Sequence, residues 1–448
     1  MTKFLFTTLP TNDLGLLTRS LPIASELAQH GHKIVFCSPA KAPSKLVAEA
    51  GFENLVPKHP IYELIARGRD LNGLLDYIAS GQWKLHYGSL FRCMSMLVSA
   101  LPIKKAPSSS ETWNMGHAGA QMGMLNEGLV RASCDALVEL ILNYDPDIVV
   151  DFWNPFAVIA ARAINKTVIT VIQSDAHPDS QGLIWWKTSP ANIPTPVPVI
   201  NKVMTKYGLP AIEKVEELCV GDLTLVVGTP ETDPLPDSAD VTYIGPLLWQ
   251  KSEARLPDWI LQLDKDKPLI WIYSGNPRYS SGDDVLDSIV VIQSCIAALA
   301  DEDVQVILTT GYHALPKDLL PLPTNFRHET YLPGLAMAEK SDLLIHHGGY
   351  GSCQTGLYSG KPAVIIPTYS ERESNARRVA AVGAGAIVPV TYIGSKKHVR
   401  TEELRTTVWH VLTNPSFAEN ARRMSEKLRA YGGASQAASM IEGFIRGK

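Results

Sequence analysis

The stretch from Asp342 to Val388 most limits what this chain can fold into, because it spells out a complete strand–turn–helix–turn–strand unit. An apolar run, Asp342 to Ile345, leads into His346-His347-Gly348-Gly349-Tyr350-Gly351-Ser352. A segment of helical spacing follows, then the turn Gly360-Lys361-Pro362 and a second apolar run, Ala363 to Ile366. That order is how a parallel βαβ unit reads. Its first turn has the makings of an anion site. Glycines let the backbone approach a ligand closely, and a helix N-terminus directs N–H groups and the positive dipole end at it. His347 and Ser352 add side-chain donors, so His347, Gly349, Gly351 and Ser352 together read as a diphosphate site. Alone, a glycine turn before a helix is more often only a turn, with one histidine in the core and the other capping. The length and order of the stretch favour the functional reading.

A chain of 448 residues exceeds one ordinary core, so two domains are expected. The net charge of −4, with both signs interspersed, points away from a nucleic-acid partner and from a polybasic membrane patch. Six cysteines without CxxC pairing read as free thiols in a reducing compartment, not as a disulfide or zinc framework. Met1 to Pro10 lacks the layout of a signal peptide, and no apolar run approaches the ~20 residues that span a bilayer. The expectation is a soluble, cytoplasmic protein without a transmembrane segment.

The rest of the chain repeats the strand–helix alternation. Lys3 to Thr8 reads as a first buried strand, followed by a polar loop and a helix around Ser20 to Gln29, with Pro22 in its first turn. Lys33 to Cys37 is the next strand, Lys41 to Gly51 a helix, and Phe52 to Val56 a return to the sheet. Alternation resumes with helices at Ala132 to Asn143 and Pro155 to Ile164. Strands are expected at Asp147 to Asp151, Thr167 to Ile172, Asp222 to Val227 and Val241 to Ile244. Strand signals stop at Pro246 to Pro257, the best linker. A second series starts at Leu269 to Tyr273, an apolar run of the kind covered on both faces. It continues through a helix at Val285 to Leu299 and a strand at Val304 to Thr309, and ends in helices. The fold class expected is α/β, with two Rossmann-like, doubly wound domains facing a cleft: residues 1–245, a linker at 246–257, residues 258–430, and a C-terminal helix within 431–448. No G-x-G-x-x-G dinucleotide fingerprint is present.

Between about residues 60 and 130 the pattern loosens into a helical region rich in Met and Trp. Such stripes are core more often than binding wall. Flexible Met surfaces nevertheless suit bulky apolar ligands, so Trp83, Trp113 and Met122 are acceptor candidates, with Trp185 and Trp186 as further contributors.

The second half of the central stretch carries a more specific pattern. His347 through Ser352, Leu357, Gly360, Pro362, Glu371, Asn375, Ala376, Arg378, Val379, Gly383 and Gly385 follow one another in the spacing of a known signature. It resembles the donor-binding signature of the UDP-glycosyltransferase family, inverting enzymes that glycosylate small acceptors. The resemblance implies the GT-B arrangement of twin Rossmann-like domains, with the last helix, here Ala434 to Ile445, crossing back onto the first. It implies a UDP- or dTDP-sugar as co-substrate and no metal or other cofactor. Ser274 and Asn276 match the family's hydroxyl-bearing turn on the diphosphate. Tyr331, with Leu332 beside it, stands where an aromatic residue stacks on the base. Glu371 matches the acidic residue that holds sugar hydroxyls.

Three departures matter. Arg372 stands where the family commonly has Gln on the sugar; a cation there favours a donor with an extra acceptor or carboxylate, or turns outward. Thr355 stands where many members have a ribose-gripping Glu, which keeps both UDP and dTDP open. Leu16 stands at the position of the usual catalytic His and cannot take a proton. Asp13, in the same loop, and Asp151, matching the Asp that orients the missing His, are the two candidates for general base. Their bland readings are a turn residue and a helix cap. The function expected is an inverting, metal-independent transfer of a sugar to a small, apolar, natural-product-like acceptor. A non-catalytic nucleotide-sugar-binding or partner protein and a UDP-sugar epimerase are the alternatives.

Overall fold

A computed structural model of the chain describes residues 1–67, 71–249, 255–275, 289–311 and 314–447. It contains two fully parallel sheets. The first joins β1 (Lys3–Thr8), β2 (Lys33–Cys37), β3 (Glu53–Asn54), β4 (Ile148–Phe152), β5 (Thr167–Ile172), β6 (Leu223–Val227) and β7 (Thr242–Gly245), in the order β3-β2-β1-β4-β5-β6-β7. The second joins β8 (Leu269–Tyr273), β9 (Gln305–Thr309), β10 (Phe326–Glu329), β11 (Leu343–His346), β12 (Ala363–Ile365) and β13 (Gly385–Ile387), in the order β10-β9-β8-β11-β12-β13.

The near-continuous apolar strands are explained by cover on both faces. Along β1, Phe4 and Phe6 enter a cluster with Phe36, Val150 and Phe152, while Leu5 enters the opposite one with Val35 and Val149. In the second sheet Ile270 and Ile272 point to one core, and Leu269 and Trp271 to the other. All four clusters are thus set by the period-2 alternation of side chains.

Both sheets have a strand order that reverses direction, between β1 and β4 in one and between β8 and β11 in the other. In open parallel sheets, ligands bind in the crevice outside the carboxyl ends of strands at such a switch point. The loop holding Asp13 follows β1, Asp151 lies in β4, Ser274 follows β8 and His347 follows β11. Four separate parts of the sequence are therefore delivered to two switch points.

The helix Gly433–Gly447 packs on the first unit. Ala437, Ala438 and Ile441 lie in the cluster of Phe4, Leu17 and Leu21, and Glu442 meets His30 and His32 at 2.9 and 3.0 Å. Two local readings change. The first helix begins at Gly15, not Ser20, so Pro22 falls inside it. The Asp13 carboxylate takes the Gly15 N–H at 2.7 Å and starts the helix a turn early. The expected strand Phe52 to Val56 shrinks to two residues at the sheet edge. No helix among the described residues is long and apolar enough to cross a membrane.

Candidate active site

The donor side is built on the turn between β11 and the helix Tyr350–Tyr358. His347 is 8 % exposed and its ring is wedged between two glycines. A Cβ on Gly275 would lie 2.8 Å from His347 Cε1, and one on Gly349 only 2.6 Å from Nε2. Gly348 is held at φ 88°, and a Cβ there would meet the Arg372 carbonyl at 2.6 Å. These glycines are required by close approach and, at Gly275 and Gly348, by the left-handed backbone. Gly351 is exposed, with open space where a Cβ would stand.

The helix N-terminus offers fewer donors than the stretch Gly349 to Ser352 promised. Ser352 N and Cys353 N both donate to the Gly349 carbonyl, at 3.0 and 3.1 Å. The N–H groups of Tyr350 and Gly351 remain directed out of the first turn. Burial, then the charge of Arg372, hold His347 well below the usual imidazole range, and His346 is lowered to about 3 by burial. Both rings are neutral, and Gly348 N–H donates to His346 Nδ1 at 3.1 Å. The positive charge beside the turn therefore belongs to Arg372. Its guanidinium bonds Thr368 Oγ1 and acts on His347, Glu371 and Tyr273, so it faces the site and does not turn outward.

Asn375 ties the sugar-side acid to the turn: its Nδ2 lies 2.7 Å from Glu371 Oε1 and 3.0 Å from the Gly348 carbonyl. Burial raises Glu371 above the usual carboxylate range. Ser274 is fully buried after β8, and Asn276 lies outside the described residues. Tyr331 is half-buried near Tyr273. Leu332 is a core residue, 5 % exposed and clustered with Trp271 and Met337. Thr355 Oγ1 bonds back to the Gly351 carbonyl of its own helix at 2.8 Å.

The two acidic candidates are placed very differently. Asp151 is 1 % exposed, and Thr7 Oγ1 and Asn154 N donate to its carboxylate at 2.5 and 2.9 Å. Burial lifts it to about 7. The Trp153 N–H, in a backbone held at φ 55°, also bonds it. Asp13 is exposed, and its charge reaches across to Glu371 and Tyr273 of the second unit. Arg19, which sequence reasoning passed over, also faces Glu371 and lies 5.2 Å from the Tyr350 ring. Leu16 packs against the cores of the first unit.

Of the acceptor candidates, Trp113 sits at the cleft. Its neighbour Thr112 donates N–H to Ser370 Oγ at 2.9 Å, and Ser370 N donates to the Ser110 carbonyl at 3.0 Å, next to Glu371. Trp185 Nε1 donates to Ser374 Oγ at 3.1 Å, and Arg377 stacks 4.4 Å over Trp186. Trp83 is instead tied to Ile78 O at 3.0 Å within a satellite core of Tyr77, Tyr87 and Cys93. Met122 is exposed, and a Cβ on its neighbour Gly123 would strike Pro102. Neither contact belongs to the donor side.

A buried clasp joins the two units. Arg378 bonds Asp175 and reaches Asp233 at 3.5 Å, while Ser374 Oγ lies 3.3 Å from Asp175. Tyr350 Oη, from the first residue of the helix Tyr350–Tyr358, lies 2.9 Å from Asp233 Oδ2 and 2.8 Å from the Val227 carbonyl. Burial raises both carboxyls, Asp175 to about 6, against the pull of Arg378.

Comparison with known proteins agrees with this geometry. Residues 293–440 match the family model described as erythromycin biosynthesis protein CIII-like, C-terminal domain. The chain is 27 % identical over 331 residues to an NDP-glycosyltransferase, YjiC of Bacillus subtilis (strain 168), covering 73 % of this chain and 79 % of that one. It is 30 % identical over 249 residues to the 4'-demethylrebeccamycin synthase of Lentzea aerocolonigenes, spanning 54 % of this chain and about half, 55 %, of the relative. The solved structure of the spinosyn forosaminyltransferase SpnP superposes with a TM-score of 0.66 at 20 % identity, over 99 % of both chains. The fold is GT-B, the chain is similar to named glycosyltransferases, and residues 293–440 form an erythromycin CIII-like C-terminal domain.

Proposed function

We propose that the protein transfers a sugar, with inversion, from a UDP- or dTDP-sugar to a small apolar acceptor. The observation that carries this reading is the convergence of Asp13 and Arg19 from one unit on Glu371 of the other, with Asp13 also facing Tyr273 and Arg19 lying 5.2 Å from the Tyr350 ring. The diphosphate lies against the first turn of the helix Tyr350–Tyr358, where N–H groups, the neutral His347 and the Arg372 cation share its charge. This arrangement calls on no metal or cofactor. Glu371, steadied by Asn375, accepts hydrogen bonds from sugar hydroxyls. Trp113, Trp185 and Trp186 line the acceptor approach.

Inversion requires the acceptor oxygen to attack the anomeric carbon from the face opposite the departing diphosphate. Asp13, across the cleft from Glu371, takes the acceptor proton as that bond forms. Asp151 supports the loop from behind. The test is turnover with a donor panel and a polyhydroxylated apolar acceptor, with the product anomer read by NMR. Asp13→Asn should lower kcat about 10²- to 10⁴-fold, the usual contribution of a general base, and leave nucleotide affinity unchanged. Unchanged turnover in this variant removes Asp13 from the chemistry. The packing of Leu16 into the core favours a second reading, a nucleotide-sugar-binding protein without turnover, which predicts donor binding and no product. Conversion of donor to an isomer without acceptor would point to an epimerase.

A further inference from the structure

The insertion between β3 and β4 carries an exposed apolar helix face. The helix Leu90–Ser99, capped by Ser89 Oγ on Arg92 N at 3.2 Å, is apolar on two sides. Cys93 and Leu97 point into the protein at 0 and 3 % exposure. Phe91, Ser95 and Val98, spaced i, i+4, i+7, share the opposite face, with Phe91 86 % and Val98 53 % exposed. Beyond the helix, Ile103 is 77 % exposed.

The segment beyond the helix is held firmly. Lys104 N donates to Asn126 Oδ1 at 3.0 Å, Asn126 Nδ2 returns the bond to the Lys104 carbonyl at 2.5 Å, and Ala106 N reaches the Ala120 carbonyl at 2.9 Å. Ile103 is thus displayed by a fixed backbone. Four exposed cations, Lys84, Arg92, Lys104 and Lys105, accompany these apolar side chains, and no Asp or Glu occurs between Asp76 and Glu111. The chain's overall charge of −4 conceals this all-basic segment.

We infer that this face docks the protein on an anionic lipid surface, with Phe91, Val98 and Ile103 entering the headgroup boundary and the four cations meeting lipid phosphates. The pattern is that of an interfacial helix: a row of bulky apolar side chains bordered by Lys and Arg. Cations beside exposed apolar side chains suit a fluid anionic surface. The proposal rests on this surface alone, not on the donor reading.

The test is co-sedimentation of the intact protein with vesicles of phosphatidylcholine alone, or of equal parts phosphatidylcholine and phosphatidylglycerol. Binding is expected to the anionic vesicles and to weaken as salt is raised. Lys104→Glu with Lys105→Glu, and separately Phe91→Ser with Val98→Ser, should each lower partitioning about tenfold or more. All four side chains are exposed, so melting temperature and nucleotide binding should hold. No binding to anionic vesicles, equal binding to both vesicle types, or partitioning unchanged in both double variants would overturn the proposal. The lipid and salt dependence of the unaltered protein tests it independently of any variant.

Discussion

Arg378→Met is the most informative perturbation of the clasp, because methionine keeps much of the apolar stem and removes the cation. Asp175 and Asp233 are 3 % and 0 % exposed, and in Arg378→Met both lose their guanidinium. At pH 7 an aspartate held at about 6 instead of ~3.9 already costs about 3 kcal/mol, and one forced fully neutral costs about 4. Asp175 therefore adds about 1 kcal/mol to the loss at pH 7. With Asp233 and the lost hydrogen bonds, the total should approach the ~3–5 kcal/mol typical of breaking a buried pair. The sign follows from the raised folded-state pKa. The contribution of Asp175 is fully present below its unfolded value and is lost as pH rises through about 6. Removing Arg378 moves that loss higher still, so the gap between wild type and variant widens from pH 5 to pH 7. Thermal melts at the two pH values would read it as a drop of about 3–5 °C at pH 7 and a clearly smaller one at pH 5. Adding Asp175→Asn and Asp233→Asn to the Arg378→Met variant should recover most of the stability. A gap of equal size at both pH values would refute the reasoning, because the carboxylates would then not be its source.

Gly349→Ala should weaken nucleoside diphosphate binding about tenfold or more, since a Cβ 2.6 Å from His347 Nε2 displaces the ring or the helix start; isothermal titration calorimetry checks this. Asp151→Asn concerns stability, not chemistry. Wild-type stability from this group is lost as pH rises through about 7, with a slope of at most ~1.4 kcal/mol per pH unit. The variant should flatten that dependence in denaturant titrations, and an unchanged slope would argue against a buried, proton-holding Asp151.

The fold was legible because its strands are apolar runs separated by glycine turns, a pattern that only a doubly covered parallel sheet uses throughout. Leu269 to Tyr273 and Thr167 to Ile172 read correctly to the residue. The glycine turn at His347 to Ser352 was legible as a turn before a helix for a similar reason: its residues are contiguous. What escaped was non-local. Asp175 sits in the short 3-10 helix Ser174–Ala176 and Asp233 in a turn, and their partner Arg378 lies 203 and 145 residues away, so no spacing announces the clasp. Tyr350 fills the variable position of the glycine signature, yet its hydroxyl reaches the other sheet. Asp13 and Asp151 looked equivalent because each ends a strand or loop; exposure alone separates them.

The central claim is that the turn at His347 to Ser352, with Arg372, binds a nucleoside diphosphate. Its most direct test is calorimetric titration of the protein and of His347→Ala with UDP, dTDP and the bare nucleosides. The account predicts that at least one diphosphate binds far more tightly than its nucleoside and that His347→Ala loses about tenfold or more of that affinity. Equal binding of nucleoside and diphosphate, or no binding of either diphosphate, would contradict it.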